Sequence, residues 1–314
     1  MGEFSGIVET GPDDGMRLDR YASEYLKILS RSQMKSRSVE AKLNGKTVKL
    51  SKPVRPGDAL ELRWQDKIPE TLIPENIPLD ILYEDDRTAV VNKAAGMVVH
   101  PGAGNHSGTL ANALLFRCLQ KNLVPGVVGT FCPGTLRAGI VHRLDKDTSG
   151  VIVAAYDDAA LAFLASQFKA GKAKKRYAAL VRGTPADNEG IITGSLVRDP
   201  RDRKRFTITG VPGKGKASLT RYRVIRSWGA YSLLLVRPKT GRTHQIRVHL
   251  KSLGHPVAGD PVYGYRETFL RGGLMLHAYS LEITLPDHDS PSRFRAPLPP
   301  SFRENISLLK RRFP

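Results

Sequence analysis

Leu18, Tyr21, Ala22, Tyr25, Leu26 and Leu29 recur at i, i+3, i+4, i+7, i+8 and i+11, one apolar stripe that predicts an amphipathic helix. Ser30 and Gln33 have the spacing of a capping box, so a second helix is expected to begin there, with Arg31, Lys35 and Arg37 on it. Asn44-Gly45 signals a tight turn, and Val54, Gly57-Asp58, Leu60 and Leu62 suit a closing strand. Residues 16–64 thus read as a small domain after a flexible tail at 1–15, which is rich in Gly, Asp and Glu.

Pro69, Pro74 and Pro78 punctuate the polar stretch 65–78, read as an extended linker. Beyond it, short apolar segments recur at 81–83, 89–91, 151–155, 178–181 and 233–236, with helical patterns at 161–168 and 245–253. Strands outnumber helices and do not alternate strictly with them, which favours an α+β class for a main domain at 79–306. A basic C-terminal tail is expected at 307–314, and the Gly- and Pro-rich stretch 118–136 reads as a long loop.

Residues 141–150, Val-His-Arg-Leu-Asp-Lys-Asp-Thr-Ser-Gly, are charged and lie between the apolar runs 138–141 and 151–156. Both runs read as buried strands, which would hold this loop on rigid scaffold and make Asp145 a candidate nucleophile. The same residues could form a solvated turn, since Asp147, Thr148, Ser149 and Gly150 are ordinary turn formers.

Composition adds a partner class. The 314 residues hold 49 Lys+Arg against 30 Asp+Glu, a formal charge of +19, which suits a polyanion. Residues 16–64 alone carry 12 basic and 5 acidic side chains. No signal-peptide pattern or long apolar run is found, so a cytoplasmic protein without membrane contact is expected; a monomer is expected as well. Cys118 and Cys132 lack metal or redox spacing, and His100, His142, His244 and His249 do not group as ligands.

The loop His142-Arg143-Leu144-Asp145 with Thr148-Ser149-Gly150 resembles the signature of the RluA-type pseudouridine synthases. Four further blocks agree in order: Val90–Lys93 running into Gly96–Asn105; Lys175-Arg176-Tyr177 with Val181-Arg182-Gly183; Lys239–His249 with Gly254-His255-Pro256 and Gly259-Asp260; and Leu276-His277-Ala278 with Leu281. Five ordered blocks over residues 79–300 are far more specific than one motif. Within the family, Val99–Asn105 is most similar to the C/D branch, whose members act on large-subunit ribosomal RNA. The chain departs from the pattern at Ala94, where Pro is usual, and at Leu285, where His is common.

The resemblance implies a mixed, mainly antiparallel sheet with a cleft across it, fronted by a small S4-type α/β RNA-binding domain at 16–64. It implies that Asp145 either adds to ribose C1′ or removes a C2′ proton, between which the sequence does not choose. Arg247 would pair with Asp145, Tyr177 would face the detached base or take its C5 proton, and Leu281 would pack near it or serve the core. Arg143 would fill the space left in the RNA by the extruded nucleotide, or form a structural salt bridge. Arg31, Lys35 and Arg37 would contact phosphates. No metal or organic cofactor is implied. Three rivals stand beside this: the same chemistry on transfer RNA, a non-catalytic RNA-binding assembly factor, and a phosphatase nucleophile at Asp145-Lys-Asp147, which would want hydrophobics where His142 and Arg143 stand.

Overall fold

The computed structural model describes residues 2–9, 15–29, 34, 38–64, 72–102, 104–121, 139–202, 204–265, 267 and 269–313. The chain divides into two units, Met1–Glu70 and Thr71–Pro314.

In the first unit, β1 (Gly2–Ile7), β2 (Glu40–Leu43), β3 (Lys46–Val48) and β4 (Ala59–Trp64) form one sheet in the order β1-β4-β2-β3, antiparallel throughout. The expected flexible tail at 1–15 is therefore corrected: Gly2 to Ile7 pair residue by residue with Trp64 to Ala59. The strand escapes a periodicity search because two of its three less exposed positions are glycines, with Phe4 between them. A Cβ at Gly2 would overlap the Trp64 ring, which would have to move to admit it.

Helix α1 (Leu18–Glu24) realises only the first half of the predicted stripe. Lys27 is left-handed, with φ +51, which ends the helical path, although Leu29 still returns to the core beside Leu18, Tyr21 and Ala22. The expected capping box and second helix, with Arg31, Lys35 and Arg37, lie outside the described residues. Asn44-Gly45 turns between β2 and β3 with both residues left-handed, φ +50 and +76. The Asn44 amide also donates to Asp58 and accepts from Ala59 N–H.

The second unit starts earlier than the expected 79. Asn112 bonds to the Ile73 carbonyl, and the Glu75 carboxylate accepts from Gly108 N–H, so 72–78 is bonded into this unit rather than serving as linker. Its strands are β5 (Asp80–Glu84), β6 (Thr88–Lys93), β7 (Ser149–Ala155), β8 (Lys174–Arg182), β9 (Glu189–Arg198), β10 (Phe206–Thr209), β11 (Lys216–Trp228), β12 (Tyr231–Pro238), β13 (Leu276–Ile283) and β14 (Ser292–Arg295). They form a sheet in the order β10-β9-β11-β12-β8-β13-β7-β6-β5, with β14 on β13. Among the described residues only β13 and β7 run parallel, so the sheet is mixed and mainly antiparallel, as expected.

Among the described residues four helices accompany it: α2 (Leu110–Gln120), α3 (Asp158–Lys169), α4 (Gln245–Ser252) and α5 (Pro300–Arg312). The last replaces the expected basic tail at 307–314. Phe302, Asn305 and Leu309 bury one face of α5, and Lys310, Arg311 and Arg312 fall in its last turn, where cations suit the helix dipole. The five apolar segments lie inside β5, β6, β7, β8 and β12. β11 carries no comparable signal because its inward positions include Ser218 and Thr220, beside Tyr222.

One core cluster joins Tyr177, Leu180, Leu234 and Val236 of the sheet to Leu114 of α2, Leu250 of α4 and Leu309 of α5. A second joins Val90, Val151 and Val153 to Ala160 and Leu164 of α3. Burying each large apolar side chain contributes about 1.5–3 kcal/mol.

Candidate active site

The loop 141–148 enters and leaves through strained or close-packed backbone. The run 138–141 forms no strand among the described residues: Ile140 makes a single bridge to Ala154. Gly139 is left-handed, φ +70, and a side chain there would overlap the Ala155 carbonyl, so extended pairing stops. Downstream, Gly150 has φ +111, and a Cβ there would overlap the Ala278 carbonyl across the parallel β7–β13 contact. Ser149 Oγ lies 2.8 Å from His277 Nδ1. The Thr148-Ser149-Gly150 run is thus a close-packing device where strands β7 and β13 meet.

Between these ends, Leu144 and Thr148 are buried and Thr148 N–H donates to the Asp145 carbonyl at 3.1 Å. His142 packs on Phe168 with ring centroids 4.5 Å apart and accepts from Val153 N–H. Burial, with Lys175 nearby, pushes the His142 imidazole down to about 3, so it stays neutral as that bond requires. Asp145 is left on the crest with its side chain 21% exposed, accessible to a substrate while its backbone is held.

Lys93, at the end of β6, is 1% exposed and donates to the carbonyls of Ala94, Met97 and Lys146 at 2.7, 2.8 and 3.0 Å. Gly96 N–H shares the Lys146 carbonyl. The residue after Asp145 is therefore clamped to β6 through its main chain. Burial lowers the Lys93 ammonium to about 8, opposed by the charges of Asp147 and Asp145.

Helix α4 supplies the countercharge. Arg247 Nη1 donates to Asp145 Oδ2 at 3.1 Å, while Nε and Nη2 grip both oxygens of Asp260 at 2.7 and 2.8 Å. Asp260 is completely buried and also accepts from Val262 and Tyr263 N–H. Burial alone would raise its carboxyl, but the Arg247 bonds hold it below the usual range. Burial alone would likewise lower Arg247, yet Asp260 and Asp145 together raise it. One guanidinium thus serves two carboxylates, and its charge is already largely met by Asp260. Asp145 gains direction without being fully neutralised.

His244 precedes α4 in left-handed conformation, φ +55. Its Nδ1 lies 2.9 Å from Tyr263 Oη, which accepts from Phe206 N–H. The Tyr263 hydroxyl thereby links the His244 ring to the main chain of β10. Burial lowers His244, opposed by Asp145. The Tyr263 ring stacks under Arg247, 5.1 Å from ring centroid to guanidinium carbon.

Tyr177 sits on β8, buried beside these groups, and burial together with Asp145 raises its phenol, so it is protonated at neutral pH. Two residues earlier on the same face, Lys175 donates to the Thr240 carbonyl at 3.2 Å, its ammonium lowered by burial to about 8. Leu281 is the cross-strand neighbour of Lys175 and is 2% exposed, within the cluster that contains Leu164. Its side chain fills core in this state. Arg143 is exposed and has no carboxylate partner among the described residues.

Sequence reading brings Asp145, Arg247 and Tyr177 to one locus but passes over Lys93, Asp260, His244 and Lys175 as site residues. Each lies inside a quoted motif. What marks them is burial of a charged or polar group, and only the fold displays that.

Residues 87–252 match the family model described as RNA pseudouridylate synthase. The chain is 41% identical over 311 residues to the ribosomal large subunit pseudouridine synthase D of Borreliella burgdorferi, covering 97% of this chain and 89% of that one. It is 38% identical to the protein of the same name from Xylella fastidiosa, over 96% and 92% of the two chains. Among solved structures it resembles human RNA pseudouridylate synthase domain containing 1, at 28% identity and a TM-score of 0.54, over 75% of this chain and 96% of that one. A carboxylate on a clamped loop, its buried arginine and the adjoining tyrosine thus occur in a chain that belongs to the RNA pseudouridylate synthase family and is an RNA-modifying isomerase.

Proposed function

We propose that this enzyme isomerises uridines of large-subunit ribosomal RNA, with Asp145 as the nucleophile. The observation that carries the reading is the shared guanidinium. Asp145 Oδ2 is held by Arg247, which Asp260 already pairs, and Oδ1 makes no bond to the described protein. The substrate class rests on the names of relatives 41% and 38% identical over nearly the whole chain.

The reaction breaks uracil N1–C1′ and forms C5–C1′; the C5 proton leaves and N1 takes one up. Attack on C1′ and removal of the C2′ proton both need an ionised carboxylate. The base is extruded first, at a cost of a few kcal/mol, and Arg143, exposed beside Asp145, is suited to fill the gap. Tyr177 offers an aromatic face to the detached ring, and Leu281 lies one strand away. The net +7 of residues 16–64, including Arg31, Lys35 and Arg37, suits phosphate contacts by an S4-type domain.

The test is pseudouridine mapping on transcribed, protein-free large-subunit RNA with the wild type and Asp145→Asn. New pseudouridines with the wild type alone support the assignment. Activity on transfer RNA only would overturn the substrate, and full activity of Asp145→Asn would overturn the nucleophile.

A further inference from the structure

The sheet of the second unit carries a row of arginines that the site does not use. Arg295 of β14 stands opposite Ser280 of β13, Ser280 opposite Arg176 of β8, and Arg237 of β12 opposite Arg221 of β11. Val236 pairs with Tyr177, so one step along the same antiparallel ladder Arg237 neighbours Arg176. Arg295, Arg176, Arg237 and Arg221 thus stand in one line across five consecutive strands, with buried Ser280 between the first two. Arg176 directly precedes Tyr177, and successive side chains alternate faces, so the row is on the opposite face of β8 from Tyr177.

Arg221, Arg237 and Arg295 are exposed and Arg176 half-buried. None of the four meets a carboxylate among the described residues. Glu282, in the adjacent row, is engaged by Lys174 and Arg293, which hold its carboxyl down to about 2. Like charges directly opposed across a ladder are destabilising, and paired strands lie only about 5 Å apart. At one end, Glu282, Pro291, Arg293 and Arg295 line an open cavity of about 610 Å³. A concentrated line of unneutralised guanidinium groups, wide enough to cross five strands, complements a polyanion backbone.

We infer that this face is a second RNA-backbone surface, engaging phosphates of the substrate RNA remote from the target nucleotide. The inference rests on the reading of the substrate as a large folded RNA, because only such an RNA reaches both faces of the sheet. It predicts that a short oligonucleotide around the target leaves the row empty.

The experiment measures equilibrium binding against salt for the wild type and for Arg221→Gln/Arg237→Gln, with a full-length large-subunit transcript and with a short single-stranded oligonucleotide. On the transcript the double variant is expected to lower the log–log salt slope by about 2, near 0.9 per phosphate contact. On the oligonucleotide the slope is expected to match the wild type. Arg221→Lys/Arg237→Lys should restore the slope, and Arg176→Gln/Arg295→Gln repeats the test from the other end if the first variant folds poorly. An unchanged slope on the transcript, or an equal loss on both RNAs, overturns the proposal. Binding is read without turnover, so failure to form pseudouridine would count against the proposed function and leave this test standing.

Discussion

Arg247 and Asp260 form a buried two-pronged ion pair, Nε and Nη2 reaching the two carboxylate oxygens at 2.7 and 2.8 Å, and it is the remaining Nη1 that touches Asp145. The pair fixes the plane of the guanidinium, so Asp260 orients Asp145 without meeting it. Removing one charge from a buried pair costs about 3–5 kcal/mol, and the lower end applies here because Arg247 keeps Asp145 as a partner. Asp260→Asn should therefore lower stability by that amount in urea melts. The surviving Arg247 charge would then fall on Asp145 alone and damp its reactivity, so single-turnover pseudouridine formation should drop more than RNA affinity does. Wild-type stability in Asp260→Asn would refute the argument.

Lys93 acts on the same loop from the other side. Lys93→Met preserves the length of the side chain but removes the donor to the carbonyls of Ala94 and Met97 and leaves the Lys146 carbonyl with Gly96 N–H alone. A buried unsatisfied group costs about 1–3 kcal/mol. The expected result is a destabilised enzyme whose kcat falls while its affinity for RNA holds, measured under conditions where it remains folded. An unchanged kcat would show that the clamp on Lys146 does not position Asp145.

Two glycines with positive φ separate strain from contact. Gly150, φ +111, abuts the Ala278 backbone, whereas Gly254, φ +88, has open space around its Cβ position. Gly254→Ala carries only the left-handed penalty, about 1 kcal/mol. Gly150→Ala adds an overlap that must part β7 from β13 and should cost more than about 3 kcal/mol. Thermal melts of the two variants decide it, with equal losses counting against the close-packing role of Gly150.

His249 makes stability depend on acid. Ser218 donates to the Gly194 carbonyl, so its oxygen accepts from His249 Nε2, and Nδ1 is buried without a partner. Burial lowers the imidazole to about 4, below the unfolded value near 6.5. Between those values the unfolded chain binds the extra proton, so stability falls as pH drops from about 6.5 toward 4, by on the order of 3 kcal/mol from this group. His142, lowered to about 3, adds a loss of the same sign. Melting temperature followed from pH 7 to 4.5 should decline, and His249→Phe should flatten the decline. An identical slope in the variant would assign the acid sensitivity elsewhere.

The sequence by itself determined the α+β class, the apolar strands 81–83, 89–91, 151–155, 178–181 and 233–236, the helices at 161–168 and 245–253, and the loop bearing Asp145. These are legible because apolar periodicity and motif order are properties of neighbouring residues. Only the tertiary structure decided the strand at Gly2–Ile7, whose inward glycines carry no hydrophobic signal, and the strand at 216–228, whose inward Ser218 and Thr220 read as polar. It also decided that residues 300–312 form one helix rather than ending in a tail. The site divides the same way. Asp145, Tyr177 and Arg247 stand in recognisable blocks, but Asp260, Lys93 and the arginine row acquire meaning from burial and from cross-strand register. Those depend on which distant segments the fold brings together, a quantity that no local pattern of residues contains.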